Sequence, residues 1–599
     1  MHAFLVGAVS AVLLVTASSL PADAAAAKHA KHAARHVTRP NSADAQFQAL
    51  YKAEWKWRED QFADNEDGQM PVMDHLPKVD AASQDARLHY WEKVLATLQT
   101  IPREKLSPDE QINYDVYKPQ IEVLIAGQRF RDYEMPVNSD TTFWTDIGYT
   151  ARKNFKQLAD YKNWIAQMRD IPRYFHEQMD EMRAGAKRGF TPPRVTLQGR
   201  DASLTAVTDP KPEDSLYYTP FKAEMAGVPA DQQAALRAEA VAVIRDQVQP
   251  VYRELLAFMR DEYVPATRTT LAAIDMPDGK AYYRAKIKEF TTLDMDPADI
   301  HKLGEQEVAR LHGEMLAVMK ETGFKGDFPA FLKFLRSDPQ FYAKTPDELL
   351  MRASWIAKKF DGKASTYFGY LPRARFAITP VPDDLAPFYT SGRGGPGVYL
   401  LNTYHLPGRP LYNLVALTLH ESAPGHAFQM PIAMEHKNQP EFRQNVYISA
   451  FGEGWALYCE KLGLEMGMYE TPYDRFGMLG YQIWRAARLV VDTGVHSQGW
   501  TREQAIQYMF EYTALPEHEI ETEVDRYIAW PAQALSYYLG EMAIVKARAK
   551  AEAALGPKFN IRAFHDTVLE LGSVPLPVLE ARIDRFIAEG GKGPYPDLE

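Results

Sequence analysis

Cysteine is nearly absent from this chain: Cys459 is the only one in 599 residues. A single cysteine excludes an internal disulfide framework, so stability has to come from the size of the core. An excess of basic charge is also missing. Lys and Arg number 68 against 79 Asp and Glu, a formal net charge of -11. That balance provides no basic stripe and argues against a nucleic-acid partner. No internal repeat of fixed period is present. The glycine-rich stretch "GRGGPG" is followed by no Lys and Ser/Thr pair, so it does not make a P-loop. Long apolar runs are confined to the N-terminus, where "AFLVGAVSAVLLVTASSL" falls short of the roughly 20 residues that span a bilayer.

That run, followed by "ADA" at Ala22 to Ala24, predicts an export signal over residues 1–24. Residues 25–45 are small and basic and are expected to form a disordered linker, in which His29, His32 and His36 could pick up metal ions. The expected product is a periplasmic or secreted protein with no stable membrane association once the signal is removed.

From Gln46 onward, apolar residues recur at spacings of three and four, as in "FQALYKAEWKWREDQF" and "ARLHYWEKVLATLQTI". Ser107 and Asp296 precede early prolines and read as helix N-caps. The texture changes once. "RARFAITPVPDDLAPFYTSGRGGPGVYLLNTY" is rich in Pro, Gly and β-formers, and its "GVYLLNTY" reads as a strand. A mainly α protein with one small β-sheet is therefore expected. It should form one unit over residues 46–599, with 46–385 building a wall of helices and 386–599 carrying the chemistry.

That chemistry centres on "LTLHESAPGHAFQM". A hydrolytic zinc site uses three protein ligands, commonly two His and one Glu, and a Glu beside the first His can take a proton from water. His420 and Glu421 fit these roles. The next histidine, His426, lies six residues on, and an ideal helix would face it away from His420. Pro424 removes a helical amide and Gly425 frees the backbone, so a local bulge could swing His426 back. A third ligand is expected on the helix "AFGEGWALYCEKLGLEMG", where Glu453 and Glu460 lie seven residues apart on an otherwise apolar face. One could bind the metal and the other hydrogen-bond a ligand imidazole.

With "HESAPGH", "GEGWALYCE", "RLVVDTGVHSQGW", "EVDRYIAWPAQALSYYLGE" and "GSVPLPVLE", the chain resembles a bacterial family labelled domain of unknown function 885. The likeness runs from about Gln46 to the C-terminus. The family in turn looks similar to helical gluzincin peptidases such as thimet oligopeptidase, angiotensin-converting enzyme and carboxypeptidase Taq. The resemblance implies a two-lobed helical fold with a deep cleft, Zn2+ as cofactor, Glu453 as ligand and Glu460 behind it. It also implies a histidine and tyrosines opposite the metal. Tyr537 is the expected oxyanion donor, and His496 could hold substrate or donate on the same side, or else be a core histidine capped by Asp492. Arg488 and Arg526 could clamp a substrate carboxylate, or pair with Glu523 and Asp492 instead. "GVYLLNTY" could receive an extended peptide along its edge, with Tyr399 and Asn402 lining the cleft, and "GRGGPG" could be a mobile flap. The leading expectation is a zinc-dependent peptidase for short peptides, with carboxypeptidase action slightly favoured. A hydrolase of non-peptide amides and a silent peptide-binding protein are the alternatives. Oligomeric state is not legible.

Overall fold

From Phe476 to His496 every residue of one helix is buried, charged ones included. A helix apolar on all sides belongs at the centre of a large helical assembly, and the rest of the chain is arranged around it. The computed structural model describes residues 42–62, 71–139, 141–225, 227–383, 386–436 and 438–595. The expected export signal and most of the linker, with His29, His32 and His36, lie outside them.

The helices used below are α1 (Ser42–Glu59), α2 (Ala81–Gln99), α3 (Pro108–Phe130), α4 (Leu158–Arg188) and α5 (Pro297–Glu321). Three short strands follow, β1 (Ala377–Pro380), β2 (Gly392–Gly395) and β3 (Val398–Leu401). Six of the helices that follow the strands are used below: α6 (Leu411–Glu421), α7 (His426–Glu435), α8 (Ser449–Glu465), α9 (Pro472–Gln498), α10 (Glu517–Ala529) and α11 (Ser536–Leu555). The protein is thus mainly helical with one small sheet, as the sequence texture predicts. Helix α1 begins at Ser42, four residues inside the expected linker, because Ala43 packs into the core and Asp44 accepts the Ser107 N–H.

End signals behave as side-chain chemistry requires. Asp80 and Asp296 cap α2 and α5, and Thr471 and Asp474 form a reciprocal capping box on α9. Ser107 occupies the cap position of α3, but its side chain makes no capping bond. The sheet order is β1-β3-β2, with β1 parallel and β2 antiparallel to β3. The predicted strand "GVYLLNTY" is therefore the central one and has no open edge. The glycine-rich stretch expected as a flap is instead the edge strand β2, closed by a turn in which Gly397 has φ 81°.

Apolar burial forms two clusters. One holds Phe47, Trp91 and Tyr117 from α1 to α3 together with the cores of α5 to α11; the other runs from Leu76 to Tyr263 around α4. Helices α1 to α3 share their cluster with the C-terminal helices. No helix among the described residues is long and apolar enough to cross a membrane.

Helix α9 packs along α5 and against α6, while α8 packs along α11. The second contact depends on glycine: a Cβ on Gly540 would lie 1.9 Å from the Ala450 carbonyl oxygen and 2.8 Å from the Gly454 Cα. Gly540→Ala is expected to lower stability by about 1–3 kcal/mol through overpacking. Gly313→Ala on α5, where a Cβ meets nothing within 4 Å, should be neutral or stabilising by up to about 1 kcal/mol. Thermal unfolding of the two variants checks the contrast.

Candidate metal centre

Helix α6 delivers His420 and Glu421 and then stops. The N–H groups of Ser422 and Gly425 bond back to Thr418 and Leu419, closing the end, and the Ala423–Pro424 peptide is cis. A Cβ on residue 425 would sit 1.8 Å from the His420 carbonyl oxygen, so only glycine lets the chain fold back this tightly. Trp455 on α8 anchors the loop by donating Nε1–H to the Pro424 carbonyl at 2.8 Å. Helix α7 then starts at His426. The expected bulge within one helix is thus replaced by two helices and a sharp corner, since the helix cannot continue through Pro424. The outcome for the imidazoles is the anticipated one: their ring centroids lie 4.9 Å apart at 82°.

Helix α8 brings the carboxylates. Glu453 Oε2 lies 3.4 Å from His420 Nε2 and 3.4 Å from His426 Nε2. Such separations are long for hydrogen bonds. They match the edge of about 3.3–3.4 Å between tetrahedral donors with bonds of roughly 2.0–2.1 Å to one ion. Glu421 also lies within 4.8 Å of both histidines. Its Oε2, however, accepts the Gly394 N–H at 2.6 Å, whereas Glu453 is equidistant from both rings. His420, His426 and Glu453 are therefore three residues that could hold a metal ion, with Glu421 beside them.

Glu460 Oε1 sits 2.7 Å from His420 Nδ1, which fixes that ring and leaves Nε2 facing the centre. Tyr447 donates its hydroxyl to Glu453 Oε1 at 2.8 Å, holding the carboxylate so that Oε2 points at the histidines. His426 Nδ1 has no protein partner. Burial pushes Glu453 up, but His426 and His420 outweigh it and hold the carboxyl well below the usual range. Burial likewise opposes charge on His420, yet its bonds to Glu453 and Glu460 raise it to about 9.

A cavity of about 1630 Å³ opens onto this centre. Tyr537, Arg488 and Arg526 line it, as expected. Burial and Glu453 raise the Tyr537 hydroxyl above its ordinary value, so it keeps its proton and can donate. Both arginines bond Glu523 Oε2, at 2.9 and 3.0 Å. Three other expectations are corrected. His496 is fully buried away from the cavity, with Nδ1 accepting the Ala273 N–H and Nε2–H donating to the Tyr527 carbonyl. Tyr399 turns into the core because side chains alternate along β3, leaving Val398 and Leu400 on the cavity side. Asn402 is buried too, its amide donating to the carbonyls of Ala386, Tyr389 and Thr390.

Sequence reading missed Tyr447, Gly394 and Arg485. Tyr447 precedes α8 in an irregular segment and carries no local signal. Gly394 was legible only as part of a glycine run, although a Cβ there would lie 1.8 Å from the Glu421 carbonyl oxygen. Arg485 could have been found, three residues before Arg488 on the same helix.

With both nitrogens tied to backbone, burial holds the His496 pKa down at about 3. Its neutral form is favoured on folding, so its contribution is intact above the ordinary value of about 6.5 and is lost as pH falls from there towards 3, by up to about 1.4 kcal/mol per pH unit. His496→Gln can keep both hydrogen bonds without titrating. Denaturant unfolding between pH 7 and pH 4 should show a shallower loss of stability for that variant.

Residues 64–583 match the family described as "Bacterial protein of unknown function (DUF885)", and the chain belongs to it. It is similar to a solved structure of a provisionally assigned lipoprotein from Colwellia psychrerythraea, with 26% identity and a TM-score of 0.84 over 92% of this chain and 100% of that one. It also shares its fold with a provisionally assigned lipoprotein of unknown function from Shewanella oneidensis, at 17% identity and a TM-score of 0.65 over 90% of this chain and 99% of that one. A search of curated proteins found no match.

Proposed function

We propose that this DUF885 protein is an exported, zinc-dependent metallopeptidase that trims short peptides, preferentially from the carboxyl end. The observation that carries the reading is the pair of 3.4 Å separations joining Glu453 Oε2 to His420 and His426, with Glu421 alongside. A purely structural metal site has no use for that additional carboxylate. The order of the motif, HE then His then a glutamate on the next helix with a second acid seven residues on, supports a two-lobed, gluzincin-like arrangement with the cavity as substrate cleft. The apolar N-terminal run and the lipoprotein assignment of the Colwellia and Shewanella neighbours support export to the envelope.

A zinc ion held by His420, His426 and Glu453 would supply a Lewis acid and lower the pKa of water. Glu421, with one oxygen fixed by Gly394, takes the proton of the attacking water on the other and passes it to the leaving amine. Tyr537 donates its hydroxyl proton as a hydrogen bond to the oxygen that gains charge. A substrate strand pairs along β2, the edge strand on the cavity wall, rather than along β3. Arg488 and Arg526 receive the terminal carboxylate.

Purified protein should hold one zinc per chain by metal analysis. Glu421→Gln should keep that zinc while turnover falls by about 10²–10⁴, the usual weight of a general base. Near-normal turnover would remove Glu421 from this role. A free peptide should be cleaved faster than its C-terminally amidated twin, and a folded protein should be left intact. Equal rates on the twins would remove the carboxylate clamp.

A further inference from the structure

The cavity wall beside the metal centre is locally rich in positive charge. Arg485, Arg488 and Arg526 line it, and Glu523 is the carboxylate among them. Behind the wall, Arg409 and Glu519 share Ser391 and offset each other. Glu460 lies 3.9 Å from Arg485, but it is engaged by His420 at 2.7 Å. Asp492 is set back, taken up by the Tyr283 hydroxyl and the Ala532 N–H. Tyr537 keeps its proton and adds no negative charge. Two of the three wall guanidiniums therefore have no carboxylate bonded to them alone, since Glu421 and Glu453, acids of the same cavity, are turned to the histidines and Glu519 acts on Arg409 before Arg485.

Those guanidiniums are held in place. Arg485 Cζ lies 4.0 Å from the Trp484 ring centroid and 4.5 Å from that of Tyr481, and Arg488 Cζ lies 4.4 and 4.5 Å from those of Trp484 and Tyr537. Stacking of this kind positions the planar forks without using their N–H groups. Arg488 spends Nε on the Tyr527 hydroxyl and Nη2 on Glu523, leaving Nη1 without a partner. Arg485 has neither Nε nor Nη1 bonded. Both side chains are more than nine-tenths buried, at 4% and 2% exposure. Buried positive charge without a carboxylate of its own is costly, and anionic groups of a ligand relieve it most effectively when they accept hydrogen bonds from guanidinium.

We infer that this wall is a subsite for a doubly anionic carboxyl-terminal residue, aspartate or glutamate, with its α-carboxylate and side-chain carboxylate offsetting those two guanidinium charges. Arg485 and Arg488 line the same cavity as His420, Glu421 and Glu453, so a peptide whose end is held at the wall lies in the space onto which the metal centre opens. This specificity rests on the proposed peptidase reading. The dicarboxylate subsite itself can be tested without turnover.

The experiment has two arms. In the first, zinc-loaded protein is given Ala-Ala-Glu, Ala-Ala-Asp, Ala-Ala-Gln and Ala-Ala-Asn. The acidic peptides should exceed their amides in kcat/KM by at least about tenfold, the lower end of what hydrogen bonds to a charged group contribute. Arg485→Gln should bring that ratio towards one. In the second arm, thermal shift is measured with free glutamate, glutamine and inorganic phosphate. Glutamate should raise Tm well beyond the other two. Equal shifts for glutamate and glutamine, or an equal shift for phosphate, would overturn the dicarboxylate assignment. If all four peptides are cleaved with no acidic preference, the subsite is wrong and the peptidase reading stands. If none is cleaved while glutamate alone stabilises the protein, the peptidase reading fails and the subsite stands.

Discussion

His426 faces His420 only because the helix carrying His420 ends one residue later. A continuous helix would turn a residue six positions on to the opposite side, and no rotamer would bring the two imidazoles onto one ion. The corner at Ser422–Gly425 resolves this with local bonds: amides closed onto Thr418 and Leu419, Pro424 held by Trp455, and a glycine pressed against the His420 carbonyl. The same tryptophan sits on the helix that provides Glu453 and Glu460. The histidine corner and the carboxylate helix are therefore one assembly, and displacing either moves the other.

Charge is buried around this assembly on a scale that requires compensation. His420 lies between two carboxylates, Glu453 between two imidazoles, and Tyr447 and Gly394 take up further oxygens on Glu453 and Glu421. Hydrogen bonds of this kind orient groups as well as stabilise them. Helix α9 extends the pattern, carrying buried arginines through the centre of the protein on stacked aromatic rings. Arg485 and Arg488 on α9 thus line the same cavity as Glu421 and Glu453 on α6 and α8.

Much of this was legible in the sequence because it lies in short segments. The HE pair, the proline–glycine break, the seven-residue spacing of Glu453 and Glu460 and the strand before α6 all announce themselves within a few residues. The failures come from long-range contacts. His496 occurs in a motif-rich stretch, but whether it meets the cavity or the backbone of Ala273 and Tyr527 depends on a partner more than two hundred residues away. "GVYLLNTY" reads as a strand, yet its central place in the sheet depends on β1, which adds in parallel. That place, with the period-two alternation, sends Tyr399 inward. Tyr447 has no periodic context at all, and only the assembled structure puts its hydroxyl on Glu453.

The account depends on one ion sharing His420, His426 and Glu453. X-ray absorption at the zinc edge on stoichiometrically loaded protein tests this most directly. Two imidazole nitrogens and a carboxylate oxygen at about 2.0–2.2 Å, with the outer-shell scattering of two histidine rings, is the predicted signature. A protein that retains no zinc, or a first shell without an imidazole pair, would contradict it.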